Sequence, residues 1–386
     1  MRNIVKAVLI FFSISPLLLG CQKNSNNENK STTESTSEKE EREYNINPIY
    51  PLNKEVVSLA SDDITEMVNN YTFACSSSYV TTEDHYASKD VTISWDVKEE
   101  ALYYLVELST NSLLNPSTTY VTNTESITFD DLKAGYTYYW RVNAYYSEKL
   151  IRSQVFSFET MAIPKSIYMK TVGNFRDMGG FKTSLNKRIK SGMVFRGANP
   201  DGASEQDKDY LLNTLKIKSE LDLRNAGEGK CGQNVLGFTN YFTADNNGGF
   251  YYNNYPNGIS YKTGRDVLAK EIKYFANRDN YPIYYHCAIG RDRTGSLAMV
   301  LNSLLGVSKK DIGIDYEISM FARVSTSDVN DDLVQDLVDQ VYYIYNYIYG
   351  GYTGSNMQEK TEAFLLDIGV TQEEINNIKD ILLEDF

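Results

Sequence analysis

The residues with the clearest chemical potential lie close together in the string YYHCAIGRDRTGSL, which runs from Tyr284 to Leu297. Cys287 is a nucleophile once its thiol is ionised, and Arg293 follows it with five residues between the two. A guanidinium presents paired N–H donors that match two oxygens of a phosphoryl group. Because phosphoryl transfer depends mainly on positioning and charge stabilisation, this pair can carry it through a cysteinyl-phosphate intermediate.

Two predicted elements would hold this pair in place. The apolar run Ile283–Tyr285 predicts a strand, and Leu297 and Val300 begin the apolar face of a helix after the motif. A loop between a strand end and a helix start points its amides inward, and the helix start adds partial positive charge. The sequence therefore predicts a phosphate site that also lowers the pKa of Cys287. The predicted phosphate-binding residues, with His286 and Thr294 in support, are Ala288, Ile289, Gly290, Arg291, Asp292 and Arg293.

Several strings in this half of the chain occur together in one known family. HCAIGRDRTG resembles the signature loop of the cysteine-dependent protein tyrosine and dual-specificity phosphatases. Upstream, TVGNFRDMGGF (171–181), MVFRGANP (193–200) and KSELDLRNAGE (218–228) resemble motifs of a bacterial family, the tyrosine phosphatase 3 or atypical dual-specificity group. By these four ordered strings, residues 165–386 are identified as a domain similar to that group.

The resemblance implies an α/β domain with a central, mainly parallel sheet flanked by helices. It also implies a protein-tyrosine or dual-specificity phosphatase that hydrolyses phosphomonoesters without a metal or cofactor. The implied partner is a phosphorylated protein, and the alternative substrate is a phosphoinositide or inositol phosphate. A different class of function, a phospho-ligand-binding module without catalysis, is the further alternative.

A proton donor for the leaving group is the open element of the predicted site. The resemblance places an acid at Asp292, inside the loop, while Asp245 in the string FTADNNGG is the alternative on an upstream glycine-rich stretch. Two acid–arginine pairs from the family strings can either contact the ligand or form buried ion pairs that order nearby loops: Asp222 with Arg224, and Arg176 with Asp177.

The N-terminus predicts export. Residues 1–21 combine a short basic start with an apolar run too short to span a bilayer, and they end in Leu18-Leu19-Gly20-Cys21. This ending resembles the lipobox of bacterial lipoproteins, which implies lipidation of Cys21. Residues 22–46 are polar and predict a disordered tether. We therefore expect a lipid anchor in a bacterial cell membrane, with the protein on the extracellular or periplasmic side.

Residues 47–161 show an all-β pattern of short alternating strands. Trp95 is predicted as an early core residue, and the stretch LKAGYTYYWRVNAYY from Leu132 to Tyr146 resembles the corner of a fibronectin type III sandwich. In that resemblance Tyr138 takes the tyrosine-corner position and Trp140 points inward. A spacer role is expected for this domain.

The composition limits the function classes further. The net charge of −13 argues against a nucleic-acid partner. The chain has 2 His, and one of them is His286 inside the predicted loop, so no metal centre built from several histidines is expected.

Overall fold

The computed structural model describes residues 46–80, 86–243, 248–322 and 329–386. The predicted signal peptide, Cys21, the tether up to residue 45 and Asp245 lie outside these ranges. Within them, no helix combines the length and the apolar character that a membrane crossing needs.

Within the described ranges, seventeen strands and eight α-helices follow in chain order. The strands are β1 Ile46–Tyr50, β2 Glu55–Val57, β3 Val91–Val97, β4 Tyr103–Ser109, β5 Thr118–Thr122, β6 Ser126–Phe129, β7 Thr137–Tyr145, β8 Leu150–Arg152, β9 Phe156–Thr160, β10 Lys165–Ser166, β11 Arg176–Asp177, β12 Arg188–Ile189, β13 Val194–Gly197, β14 Ser219–Asp222, β15 Asn240–Thr243, β16 Ile283–His286 and β17 Leu383–Glu384. The helices are α1 Asp62–Asn69, α2 Glu205–Asp209, α3 Lys262–Tyr274, α4 Asp292–Leu304, α5 Lys309–Ile318, α6 Asp331–Gly351, α7 Met357–Asp367 and α8 Gln372–Leu382.

The described chain forms two compact units, and their boundaries differ from the predicted ones. The first unit takes the residues up to Glu55 together with Thr92–Ile127 and Tyr138–Phe158. The second takes Val56–Val91, Thr128–Thr137 and Glu159–Phe386. The prediction assigned all of 47–161 to one β domain. Residues 56–91 group with the second unit because buried apolar side chains of α1, Ile64 and Met67, belong to that unit's core.

The first unit is all-β, as its alternating pattern predicts. One sheet has the order β1-β3-β6, and in a second sheet β9, β7, β4 and β5 are neighbours in that order, with β8 beside β7. The buried Trp95 of β3 and Trp140 of β7 face each other with ring centroids 6.4 Å apart. Tyr138 is buried as well, and its ring stacks on Phe158. Aromatic side chains from both sheets thus build this core.

The second unit is built on a six-stranded sheet with the order β10-β11-β13-β16-β14-β15. The strands β13, β16, β14 and β15 run parallel, while β10 and β11 are antiparallel additions at one edge. The mainly parallel sheet agrees with the prediction. All four residues of β16 are buried, which is the pattern of a central parallel strand covered on both faces.

The register of three neighbouring strands determines where the site forms. The last residues of β13 and β14, Gly197 and Asp222, both lie opposite His286, the last residue of β16. The chain segments that leave these strands therefore start at one level, at the carboxyl edge of the sheet. In open α/β sheets this edge is the usual position of a ligand site.

Several helices of the second unit start at a side-chain cap. The hydroxyls of Ser204, Ser308 and Thr371 each accept a hydrogen bond from the third residue of the helix that follows. Helix α3 differs, because it begins at Lys262 and Tyr261 precedes it without a side-chain cap.

Candidate active site

Cys287 lies directly after β16 and only 2% of its surface is exposed. Burial by itself would raise the pKa of the thiol. The nearby Thr294 hydroxyl, the charge of Arg293 and the Thr294 amide outweigh it and bring the pKa below its ordinary value. The buried Thr294 hydroxyl has no hydrogen-bond partner within the described residues, so it acts on the nearby sulfur through its dipole. The site therefore favours a thiolate, as predicted.

The carbonyl groups of residues 287–290 are hydrogen-bonded to the surrounding protein. Each of four successive carbonyl oxygens accepts a hydrogen bond from a different side chain: Cys287 O from His286 Nδ1 at 3.1 Å, Ala288 O from Asn199 Nδ2 at 2.8 Å, Ile289 O from Asn174 Nδ2 at 3.1 Å, and Gly290 O from Arg196 Nη2 at 3.0 Å. Within the described ranges, the amides of residues 288–291 donate to no protein acceptor. A loop with bound carbonyls and free amides is an anion-binding concavity.

Gly290 is required at its position in this loop. Its φ of +74° lies in the left-handed region that favours glycine, and an added Cβ would approach the Gly197 backbone to 2.3 Å. The close approach brings the loop against the end of β13, next to the segment that supplies Arg196 and Asn199.

Arg293 is oriented by Glu228, which follows β14. Its Nη1 donates to Glu228 Oε1 at 3.1 Å and to Leu223 O at 3.2 Å, and its Nη2 donates to Glu228 Oε2 at 2.7 Å. Of the five N–H donors of a guanidinium, Nε–H and one Nη2–H are left without an acceptor in the described chain. These two lie on one edge of the guanidinium and match two oxygens of a tetrahedral anion.

Asp292 opens α4 and is held through one carboxylate oxygen. Its Oδ1 accepts from Arg291 Nε at 2.8 Å and from the Tyr252 hydroxyl at 3.0 Å. The Tyr252 hydroxyl is in turn hydrogen-bonded to the hydroxyl of Tyr316. Asp292 Oδ2 has no partner in the parts of the chain that are described, so one oxygen remains available for a proton transfer.

Asp222 and Arg224 form a buried ion pair, which is one of the two roles that the sequence left open for them, the other being contact with the ligand. Arg224 Nε and Nη2 donate to the two oxygens of Asp222, and Nη1 and Nη2 donate to the two oxygens of Asp201. Burial opposes ionisation of Asp222, but the bonds from Arg224 and the charge of His286 lower its pKa to about 2. Asp222 also accepts from the Tyr241 hydroxyl at 2.9 Å. This pair therefore orders the loop after β14.

Arg176 and Asp177 do not pair with each other. Arg176 is fully buried and pairs with Asp315 at 3.0 Å, and Asp315 also pairs with Arg196 at 2.7 Å. Asp177 accepts from the amides of Gly179 and Gly192 and joins two turns. Burial raises the pKa of Asp177 to about 6, although both amides oppose the rise. Arg176 therefore contacts residues that hold the loop, Asn174 and Asp315, whereas Asp177 stabilises two turns.

His286 lies under the loop beside two acidic side chains. Its Nε2 is 2.8 Å from Glu220 Oε1 and its Nδ1 is 3.9 Å from Asp222 Oδ1. Burial would lower the pKa of His286, but the bond to Glu220 and the two carboxylate charges raise it above its ordinary value. Although Glu220, Asp222 and His286 cluster closely enough to be metal ligands, Asp222 is already engaged by Arg224 and the imidazole by Glu220 and the Cys287 carbonyl. These atoms fit a hydrogen-bonded charge cluster better than a metal centre.

A cleft of about 270 Å³ opens beside Arg293. The Tyr251 ring forms part of its wall, with the Arg293 guanidinium 5.9 Å from the ring centroid, and Tyr255 forms an outer wall with 81% of its surface exposed. Among the described residues that line it, Arg293 is the only cation and Glu228 the only acid.

Comparisons with known proteins agree with this geometry. A profile of the tyrosine phosphatase family matches residues 167–384, which is more than half of the chain. The chain belongs to the tyrosine phosphatase family.

Individual relatives cover parts of the chain. A Cupriavidus necator protein provisionally named a tyrosine-protein phosphatase is 26% identical over 167 residues, which are 38% of this chain and 60% of that protein. The chain thus spans about 60% of the length of this curated relative. The core catalytic domain of the PP-IP phosphatase SIW14 from S. cerevisiae, solved in complex with citrate, is 24% identical with a TM-score of 0.28, covering 40% of this chain and 83% of that one. A second structure of the Siw14 catalytic core is 20% identical with a TM-score of 0.27 and the same coverage.

Several residues that shape this phosphatase-family site were not predicted as site residues. Glu228 was noted only as part of the family string, and Asn174, Arg196, Asn199, Tyr252 and Asp315 were given no role. Asn174, Arg196 and Asn199 lie within the two upstream strings, so the strings themselves were the available signal. Arg196 lies 94 residues before its partner Gly290, and Asn174 lies 115 residues before its partner Ile289. Sequence spacing does not reveal contacts over such separations.

Proposed function

We propose that this protein hydrolyses phosphomonoesters through a phosphate ester of Cys287. One observation supports the proposal most directly. The carbonyl oxygens of residues 287–290 are hydrogen-bonded to the surrounding protein, which leaves the loop amides free around a thiol of lowered pKa. The Cys287 sulfur attacks phosphorus, the S–P bond forms, and the P–O bond to the leaving group breaks. Water then attacks the same phosphorus, phosphate departs and the thiolate is restored.

Arg293 and the loop amides supply the electrostatic part of this reaction. The free Nε–H and Nη2–H of Arg293 face charge that is spread over the equatorial oxygens in the transition state. Glu228 fixes the guanidinium plane before the substrate arrives, so little reorganisation is needed. Thr294, near the sulfur, stabilises the thiolate when the S–P bond breaks.

We further propose Asp292 as the residue that protonates the leaving oxygen. Its Oδ1 is held by Arg291 and Tyr252, which leaves Oδ2 for the substrate. Asp245 stays the alternative donor, and it lies outside the described residues.

For the substrate, the cleft favours an aryl phosphate, such as phosphotyrosine in a protein, over an inositol polyphosphate. A tyrosyl ring can stack on Tyr251 and Tyr255 at the mouth of the cleft. An inositol polyphosphate carries several phosphate groups that need several cations. Among the described residues the cleft is lined by no cation other than Arg293, and Arg291 of the neighbouring loop is already bound to Asp292. A panel of phosphotyrosine peptide, phosphoserine peptide and inositol phosphates tests this, with the highest kcat/KM expected for phosphotyrosine.

The setting of the enzyme is also a proposal. The lipobox-like ending at Cys21 supports a lipid anchor in a bacterial membrane with the enzyme on its outer side, and the polar residues 22–46 support a tether. The aromatic core of the first unit supports a fibronectin type III-like spacer. Detergent partitioning of the expressed full chain, compared with Cys21→Ala, tests the anchor.

The direct test of activity uses the purified chain with an aryl phosphate in the presence of EDTA. Turnover that persists with EDTA and is blocked by vanadate is expected, since the thiolate replaces a metal-activated nucleophile. Turnover that EDTA abolishes would contradict the mechanism.

A further inference from the structure

The second unit includes a segment that precedes the region matched by the family profile. This leading segment, defined here as residues 61–80 together with Tyr86, carries α1 and a short 3₁₀ turn at Ser76–Ser78. The profile begins only at residue 167. The leading segment therefore adds contacts that the family match does not contain.

One buried carboxylate fastens this segment to α5. Glu317 is fully buried, and its Oε1 accepts from the Tyr71 hydroxyl at 2.8 Å and the Ala74 amide at 3.0 Å. Its Oε2 accepts from the Ser76 amide at 2.8 Å. A buried carboxylate with three donors from one segment is costly to leave unpaired, so the attachment is specific.

The end of the leading segment reaches Arg176, which is buried under the phosphate loop. Arg176 Nη1 donates to the Tyr86 hydroxyl at 3.2 Å and to Asn174 Oδ1 at 2.5 Å. Its Nε donates to Asp315 Oδ1, and its Nη2 donates to Asp315 O and Ser319 Oγ. All five donors of Arg176 are thereby used, and Tyr86 supplies one of the acceptors.

Two branches lead from Arg176 to the loop. In the first, Arg176 binds Asn174 Oδ1 and so fixes the amide whose Nδ2 donates to Ile289 O. In the second, Arg176 and Arg196 share the carboxylate of Asp315, and Arg196 donates to Gly290 O. The orientation of two loop carbonyls thus depends on how Arg176 is held.

The chemistry of Tyr86 suits this position. Among the described residues, Asp315 is the only carboxylate paired with Arg176 and Arg196, so one positive charge beneath the loop is left uncompensated. A hydroxyl satisfies an Arg176 donor without cancelling that charge, whereas a second carboxylate would cancel it. A net positive charge beneath the loop would favour a bound phosphate dianion, in addition to the local effects of Thr294 and Arg293 on the thiol.

We propose that Tyr86 is a positioning residue for the phosphate loop, presented by a leading segment that Glu317 fastens to the phosphatase unit. This inference rests on the proposed function for its catalytic readout, but not for its readout at the thiol. It makes the working unit larger than the family match, since residues before the first unit's strand β3 help to shape the site.

The test uses the full chain with Tyr86→Phe, and Tyr79→Phe as the matched control. The Tyr79 hydroxyl belongs to the same segment and makes no hydrogen bond within the described residues. Four quantities are measured: kcat and KM for an aryl phosphate, vanadate affinity, the pH midpoint of Cys287 alkylation by iodoacetamide, and Tm. We expect Tyr86→Phe to lower kcat/KM and vanadate affinity by about three- to tenfold and to raise the alkylation midpoint, with Tyr79→Phe like the wild type.

The results separate a failure of the role of Tyr86 from a failure of the proposed function. A Tyr86→Phe chain with an unchanged alkylation midpoint and unchanged vanadate affinity overturns the inference. If Tyr86→Phe fails to fold, Glu317→Gln loosens the segment at its other end, and an unchanged midpoint there overturns the inference equally. A wild type without turnover would refute the proposed function, while a midpoint shift in Tyr86→Phe would still support the role of Tyr86.

Discussion

Two arginines at the carboxyl edge of the same sheet behave differently. Arg224 donates hydrogen bonds to Asp222 and Asp201 from Nε, from both Nη2 hydrogens and from one Nη1 hydrogen. Only 3% of its surface is exposed. Arg293 is also ion-paired, with Glu228, but one edge of its guanidinium keeps two adjacent free donors. An ion pair therefore does not by itself separate a structural arginine from a ligand-binding one. The free donor edge does.

The largest expected effect falls on the arginine with the free edge. Arg293→Lys keeps the charge but loses the fork, so we expect kcat to fall about 10³-fold with little change in Tm. Steady-state kinetics with an aryl phosphate and a thermal melt measure both. A kcat within tenfold of the wild type would show that the free edge does not bind the transition state.

The other arginine should affect stability first. Arg224→Met leaves Asp222 and Asp201 without their partner, and a broken buried pair costs about 3–5 kcal/mol. The pKa of Asp222, lowered to about 2, means that its contribution in the wild type is present above the ordinary pKa and is lost as the pH falls towards 2. We expect a lower Tm at neutral pH and kcat near the wild type for the folded fraction. A stable but inactive Arg224→Met would instead place Arg224 at the substrate.

Substitution of Glu228, which orients Arg293, should lower kcat/KM by an intermediate amount. Glu228→Gln keeps the shape but removes the charge, and charge-assisted hydrogen bonds contribute about 1.5–3 kcal/mol, so a loss of about ten- to a hundredfold in kcat/KM is expected. Burial opposes ionisation of Glu228, but the bonds and charge of Arg293 lower its pKa. Its contribution is therefore present above the ordinary glutamate pKa and is lost as the pH falls through the lowered value. The acid limb of the wild-type profile that belongs to Glu228 should be missing in Glu228→Gln, and identical limbs would contradict this.

The smallest effect is expected at Thr294, near the sulfur. Thr294→Val removes the hydroxyl that helps to lower the pKa of Cys287. The midpoint of Cys287 alkylation should shift to higher pH, while Thr294→Ser should stay close to the wild type. Equal midpoints in Thr294→Val and Thr294→Ser would exclude this role.

The sequence predicts the parts of this site that are local. The strand, loop and helix around Cys287 follow from a short apolar run, a glycine and a helical face, and the buried β16 and α4 confirm them. The sequence assigned Arg293 to the phosphate but left the role of Arg224 open, because that role depends on partners such as Asp201, which lies 23 residues before Arg224. The attachment of residues 56–91 to the second unit was missed for the same reason, since Tyr71 meets Glu317 across 246 residues.

In the proposed reaction Cys287 carries the phosphate as a covalent intermediate. The direct measurement is rapid quenching of the wild type during turnover of an aryl phosphate, followed by peptide mass spectrometry of the segment that contains residue 287. We expect phosphate on Cys287, with no adduct and no turnover in Cys287→Ser. Full turnover by Cys287→Ser, or steady turnover with no phosphocysteine at any quench time, would contradict it.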